Sequence, residues 1–68
     1  MKISPMIEEK VMQKGYKKSF IAEKLNISVR QFRKYETGES LIPIDKAYVL
    51  ARLLECKIDD LYKWEEEE

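Results

Sequence analysis

The segment Leu25-Asn26-Ile27-Ser28-Val29-Arg30-Gln31-Phe32-Arg33-Lys34-Tyr35-Glu36-Thr37-Gly38 carries the densest set of local signals in the chain. Asn is the non-glycine residue that most readily takes a left-handed backbone, so Asn26-Ile27-Ser28 predicts a sharp three-residue turn. Ser28 is an N-cap with Gln31 three residues on, the capping-box spacing, and Ile27 and Phe32 are placed as a hydrophobic staple. A helix is therefore expected from about Val29 to Glu36, stopped by Thr37-Gly38. Gln31 reads first as the capping partner and second as a reader of an external ligand.

On a helical wheel at about 100° per residue from Val29, Phe32 falls near 300° and Tyr35 near 240°. Arg30 falls near about 100°, Arg33 near 40° and Lys34 near 140°. One face is apolar, and the opposite face holds three cations and no carboxylate. Such a face can be an ordinary solvated surface. It can also read the major groove of B-DNA, which admits an α-helix and offers guanine O6 and N7 to arginine.

Working toward the N-terminus, Lys18 to Leu25 is expected to be a helix with Ile21, Ala22 and Leu25 inward. Its start, flanked by Lys17 and Lys18, would present a positive end to a phosphate. Before it, Ser4 reads as an N-cap, Pro5 as the first helical residue and Gly15 as the stop, with Glu8, Glu9 and Lys14 matching the helix dipole. Ile3, Ile7 and Val11 should face the core. Phe20 lies on the outer side of its helix, either as a half-buried filler or as a partner contact.

Toward the C-terminus, Pro43 is expected to open a fourth helix whose stripe is Ile44, Ala47, Leu50, Ala51 and Leu54. A short fifth helix capped by Asp59 would bring in Leu61 and Trp64. Val49 and Leu53 lie off the main stripe, so they are either covered by that fifth helix and Trp64 or form part of a dimer seam. Cys56 reads as a small buried hydrophobe before a redox switch. The expected architecture is all-α: five short helices, one domain over residues 1–64, then a disordered acidic tail at 65–68. The tail reads as a solubilising end, with competition against DNA for the basic helix as the minor alternative.

Composition bounds the function. The chain has 68 residues, no His and a single Cys, which leaves no disulfide and no ordinary metal ligand set. No catalytic set can be assembled, so an enzyme is not expected, and neither a cofactor nor a small-molecule ligand is implied. The longest apolar run, Ala47 to Leu54, is cut by Arg52, so neither a membrane span nor a signal peptide is expected, and a reduced cytoplasmic setting is. Net charge is zero but unevenly placed: +1 over residues 1–14, +4 over 15–37 and −5 over 38–68. The basic middle favours a nucleic-acid partner.

The run Gly15-Tyr16-Lys17-Lys18-Ser19-Phe20-Ile21-Ala22-Glu23-Lys24-Leu25-Asn26-Ile27-Ser28 resembles helix 2 and the turn of the lambda repressor-like (Cro/cI, XRE-like) helix-turn-helix family. Tyr35-Glu36-Thr37-Gly38 is similar to the family's ending of the recognition helix. Pro43, Leu50-Ala51 and Leu54-Glu55-Cys56-Lys57-Ile58-Asp59-Asp60-Leu61 resemble its last two helices. The likeness spans about residues 7–62. It implies base contacts from Val29, Arg30 and Lys34, and backbone contacts from Lys17, Lys18, Arg33 and Ser40. Asn26 stands for the usual turn glycine, and Glu39 and Ser40 for commonly basic residues. Val11 replaces an arginine that often pairs with the glutamate matching Glu36, so Glu36 needs another partner or lies exposed.

The expectation is thus a sequence-specific regulator of bacterial or phage origin, a repressor by resemblance, that binds double-stranded DNA at the nucleoid and can form a homodimer. The alternative is an interaction module of the same fold. It would bind another regulator or a toxin-type partner through Tyr48, Val49, Leu53, Tyr62 and Trp64.

Overall fold

The computed structural model describes residues 2–65. Four α-helices follow a first strand: β1 (Lys2–Pro5), α1 (Ile7–Lys14), α2 (Lys18–Leu25), α3 (Val29–Thr37) and α4 (Ile44–Leu53). A short 3-10 helix (Ile58–Leu61) leads into β2 (Tyr62–Glu65). The bundle closes around Ile7, Val11, Ile21, Phe32, Leu50 and Leu61, all essentially without solvent contact. Each large apolar side chain buried there contributes roughly 1.5–3 kcal/mol toward offsetting chain entropy.

Helix ends follow local chemistry. Gly15 and Gly38 take left-handed conformations at φ 75° and 85° and close α1 and α3. Asn26 does the same for α2 at φ 60°, ψ 43°, and Ile27 N–H then donates back to Ala22 O at 3.0 Å. The Lys46 ammonium of α4 donates to Leu25 O at 3.0 Å, placing a cation on the negative end of α2. Glu55, also left-handed at φ 54°, turns the chain after α4, where no glycine is available.

Both ends of the described chain depart from the sequence expectation. Ser4 and Pro5 do not start α1; they belong to β1, which pairs antiparallel with β2 in the register Lys2↔Glu65, Ile3↔Trp64, Ser4↔Lys63, Pro5↔Tyr62. Met6 precedes α1 without a side-chain cap, and its N–H donates to Leu61 O at 2.8 Å. Ser4 Oγ instead donates to Glu65 Oε1 at 2.8 Å, across the ribbon. Among the described residues the fold therefore has four α-helices and a small β-ribbon rather than five helices.

The expected fifth helix shrinks to the single 3-10 turn. Asp60 rather than Asp59 caps it, with Oδ2 accepting from Lys57 N–H at 3.1 Å. Trp64 lies in β2 and is exposed, as is Ile3, because the ribbon reaches past the core. Ile44 also leaves its expected stripe: at the first turn of α4, beyond the core, it is 65% exposed. Glu65, placed by sequence in the acidic tail, is the last residue of β2; the rest of that tail, 66–68, lies outside the described residues.

Candidate nucleic-acid interface

α2, the Asn26 turn and α3 form the site. Ser28 Oγ accepts from Gln31 N–H at 3.0 Å, which satisfies one of the unpaired donors at the start of α3. The return bond from the Gln31 side chain to Ser28 is not formed, so half of the box is present. Phe32, Tyr35 and Glu36 are buried, with Ile27 packed against the same core. Arg30 and Arg33 point to solvent, Lys34 is half-buried, and Val29 is exposed at the tip of the helix.

Arg30, Arg33, Lys34, Thr37 and Glu39 line one shallow concavity along the outer side of α3. Among the described residues none of the three cations there makes an ion pair. Their charge is left for solvent or a ligand. Sequence reads Thr37 as part of the helix stop and Glu39 as standing where a basic residue is common, and expects neither among the contacts. Thr37 Oγ1 donates to Lys34 O at 3.3 Å and accepts from Glu39 N–H at 3.4 Å, which holds the Glu39 carboxylate at the end of the groove. Ser40 N–H donates to Lys34 O at 3.1 Å, which fixes Ser40 beside the last turn.

Lys17 is exposed just before α2. Lys18 stands differently. Its Nζ lies 3.2 Å from Glu36 Oε1 and 3.4 Å from Glu8 Oε2, joining α1, α2 and α3. The Glu36 side chain is 2% exposed, and its Oε2 has no hydrogen-bond partner among the described residues. The hydrogen bond to Glu36 raises the Lys18 pKa above 10.5, its Coulombic attraction adds to this, burial opposes it, and Glu8 adds a smaller lift. The partner that sequence left open for Glu36 is thus a lysine from α2. Nothing along the chain signals this, because the pair is set by how the helices cross.

Phe20 stacks at 5.4 Å on Tyr16, and the Lys24 ammonium sits 5.4 Å from its ring centre. That makes it a half-open aromatic shelf beside α2. On the far side, Leu53 and Tyr62 pack on the core, whereas Val49 and Trp64 remain exposed. Tyr62 Oη accepts from Ile42 N–H at 3.1 Å, tying the loop before α4 to β2. No helix of the described residues is long and apolar enough to cross a membrane, and no metal-ligating cluster occurs among them.

Two helices joined by a left-handed Asn turn, the second anchored by aromatics on one side and cationic on the other, define a helix-turn-helix domain. The chain belongs to the XRE/lambda repressor-like helix-turn-helix family, whose model, described as "Helix-turn-helix", matches residues 7–61. This is a DNA-binding family and typically a non-enzymatic one. No curated protein matches the chain.

Proposed function

We propose that the domain is a transcriptional regulator that binds double-stranded DNA sequence-specifically by laying α3 in the major groove. The observation that carries this reading is the cationic face of α3, unpaired among the described residues and held outward by the burial of Phe32 and Tyr35. Val29, Arg30 and Lys34 are assigned to base edges, with each bidentate arginine–guanine pair worth about 1–3 kcal/mol of discrimination. Lys17, Arg33 and Ser40 are assigned to the phosphate backbone, with Lys18 contributing less because two carboxylates already hold it. The work site is then the nucleoid of a cytoplasm, and the regulatory effect is operator occupancy, as in a repressor.

Selecting duplexes from a random pool and titrating the winner at several salt concentrations tests this. A common sequence should emerge, with affinity falling steeply as salt rises, at about −0.9 in log–log slope per phosphate neutralised. Weak binding of every duplex alike, with no selected sequence, would sink the reading.

A second reading rests on α4. Ile44 and Tyr48, one turn apart, are 65% and 61% exposed, with Val49 beside them. A protein partner docking there, another regulator or a toxin-type protein, fits that apolar face. Retention of such a partner by a chain that ignores DNA would favour it.

A further inference from the structure

Glu39 is a carboxylate set among the cations that the proposed function turns toward a polyanion. It lines the same concavity as Arg30, Arg33, Lys34 and Thr37. Its backbone N–H donates to Thr37 Oγ1 at 3.4 Å, and that hydroxyl in turn donates to Lys34 O at 3.3 Å. Ser40 N–H closes on the same carbonyl at 3.1 Å. The chain leaving α3 is thus folded back on its last turn, with the Glu39 side chain exposed. Among the described residues Glu39 makes no ion pair with any of the three cations.

Duplex DNA carries one negative charge per about 1.7 Å of its axis, so a carboxylate entering the groove weakens binding unless it meets a donor. In the major groove the base donors are cytosine N4 and adenine N6. Adenine sets its N7 acceptor beside N6, guanine shows O6 and N7, and thymine shows O4. An ionised carboxylate accepts and cannot donate, so each of those acceptors repels it. Cytosine offers an amino group with no acceptor of its own beside it. The guanine paired with it presents O6 and N7, which call for a cation next to the carboxylate. Arg33 and Lys34 line the concavity with Glu39 and can supply one. Acceptor and donors therefore stand side by side at the end of α3, as the complement of a single G·C pair in one orientation.

We propose that Glu39 is a specificity-determining residue, accepting a hydrogen bond from N4 of one cytosine in the target duplex and rejecting the other three bases there. The inference rests on α3 lying in the major groove, and it adds to the readers on that helix one from the loop after it. Its effect is on the ratio between bases rather than on affinity as a whole. Repulsion from phosphate is common to all sequences, whereas the amino contact belongs to one.

Duplexes selected from a random pool by the full chain, by Glu39→Gln and by Glu39→Ala test this. The parent selection should fix a C at one position, where each other base weakens binding roughly tenfold. Glutamine can bond adenine N6 and N7 together, so Glu39→Gln should exchange that C for A and leave the other positions as they were. Glu39→Ala should bind all four bases there about alike. Both variants alter an exposed side chain of a residue anchored through its backbone N–H, and circular dichroism checks that each stays folded. The same consensus from all three chains would overturn the proposal while leaving sequence-specific binding intact. So would a gain in affinity by one common factor on every duplex, the mark of a carboxylate that merely repels phosphate. A parent chain that selects no consensus would overturn both this inference and the reading beneath it.

Discussion

The Lys18 ammonium lies 3.2 Å from a carboxylate oxygen of Glu36 that has almost no contact with water, and so links the first turn of α2 to the buried side of α3. A buried charge left without its partner costs far more than the pair contributes. Lys18→Met should therefore destabilise the domain by about 1–3 kcal/mol, a range lowered because Lys18 itself is partly open to solvent. Replacing both partners, Lys18→Met with Glu36→Leu, should recover most of that loss. Urea denaturation of the single and double variants measures it; a double variant no more stable than Lys18→Met alone would show that the ion pair is not the cause.

The same pair sets an alkaline limit. Because the folded-state pKa of Lys18 is raised above 10.5, its contribution is complete below that pH and fades as pH rises through the higher folded value. Stability of the parent chain should fall more steeply than that of Lys18→Met between about pH 10 and 12. Parallel curves would contradict the assignment, and the comparison removes the background from tyrosine ionisation.

Gly15 and Gly38 share a left-handed backbone but differ in surroundings. A Cβ at Gly15 meets nothing within 4 Å, whereas one at Gly38 lies 3.3 Å from Pro5 Cδ in β1. Gly15→Ala should cost about 1 kcal/mol from backbone strain alone, and Gly38→Ala more, because the ribbon must also shift. Thermal denaturation ranks the two; equal costs would mean that the Pro5 contact yields freely. In the opposite direction, Asn26→Gly should stabilise by up to about 1 kcal/mol.

On the DNA side, Arg30→Ala should relax base preference at one position at a cost of about 1–3 kcal/mol, while Lys17→Ala should weaken all sequences alike and reduce the salt slope by about 0.9. Lys18→Met/Glu36→Leu should leave that slope nearly unchanged. A drop as large as that of Lys17→Ala would make Lys18 a phosphate contact. Fluorescence anisotropy at stepped salt concentrations reads all three.

Burial, aided by the nearby Asp60 carboxylate, pushes the Cys56 thiol up from its ordinary 9.0. Since the thiolate is the nucleophile, alkylation by iodoacetamide at about pH 8 should run slower in the folded chain than in urea. An equal or faster rate would point to a reactive thiol.

What could be read from sequence follows from how local each signal is. The boundaries of α2 and α3 lie in their own residues: Asn26 for the left-handed turn, Ser28 for the cap, Gly38 for the stop. The cationic face of α3 follows from spacing alone. Ser4-Pro5 carries an equally good helix-start signal and is overridden, because four residues of β2, some 60 positions away, satisfy that backbone instead. Alternation was present in Tyr62-Lys63-Trp64-Glu65, where aromatic and charged residues take turns, but four residues are too few to outweigh a helical reading. Ile44 fits the stripe of α4 by period, yet the stripe extends beyond the neighbours available to cover it. The Glu36 partner depends on helix crossing, which spacing does not encode.

The ribbon also sets an order of events in folding. Closing a loop of some 60 residues for a few strand bonds is unfavourable until the helices have shortened the distance, so β1 and β2 should zip last and open first. Amide protons of Ser4 and Lys63 would then exchange with solvent through brief unzipping while those of α3 stay protected.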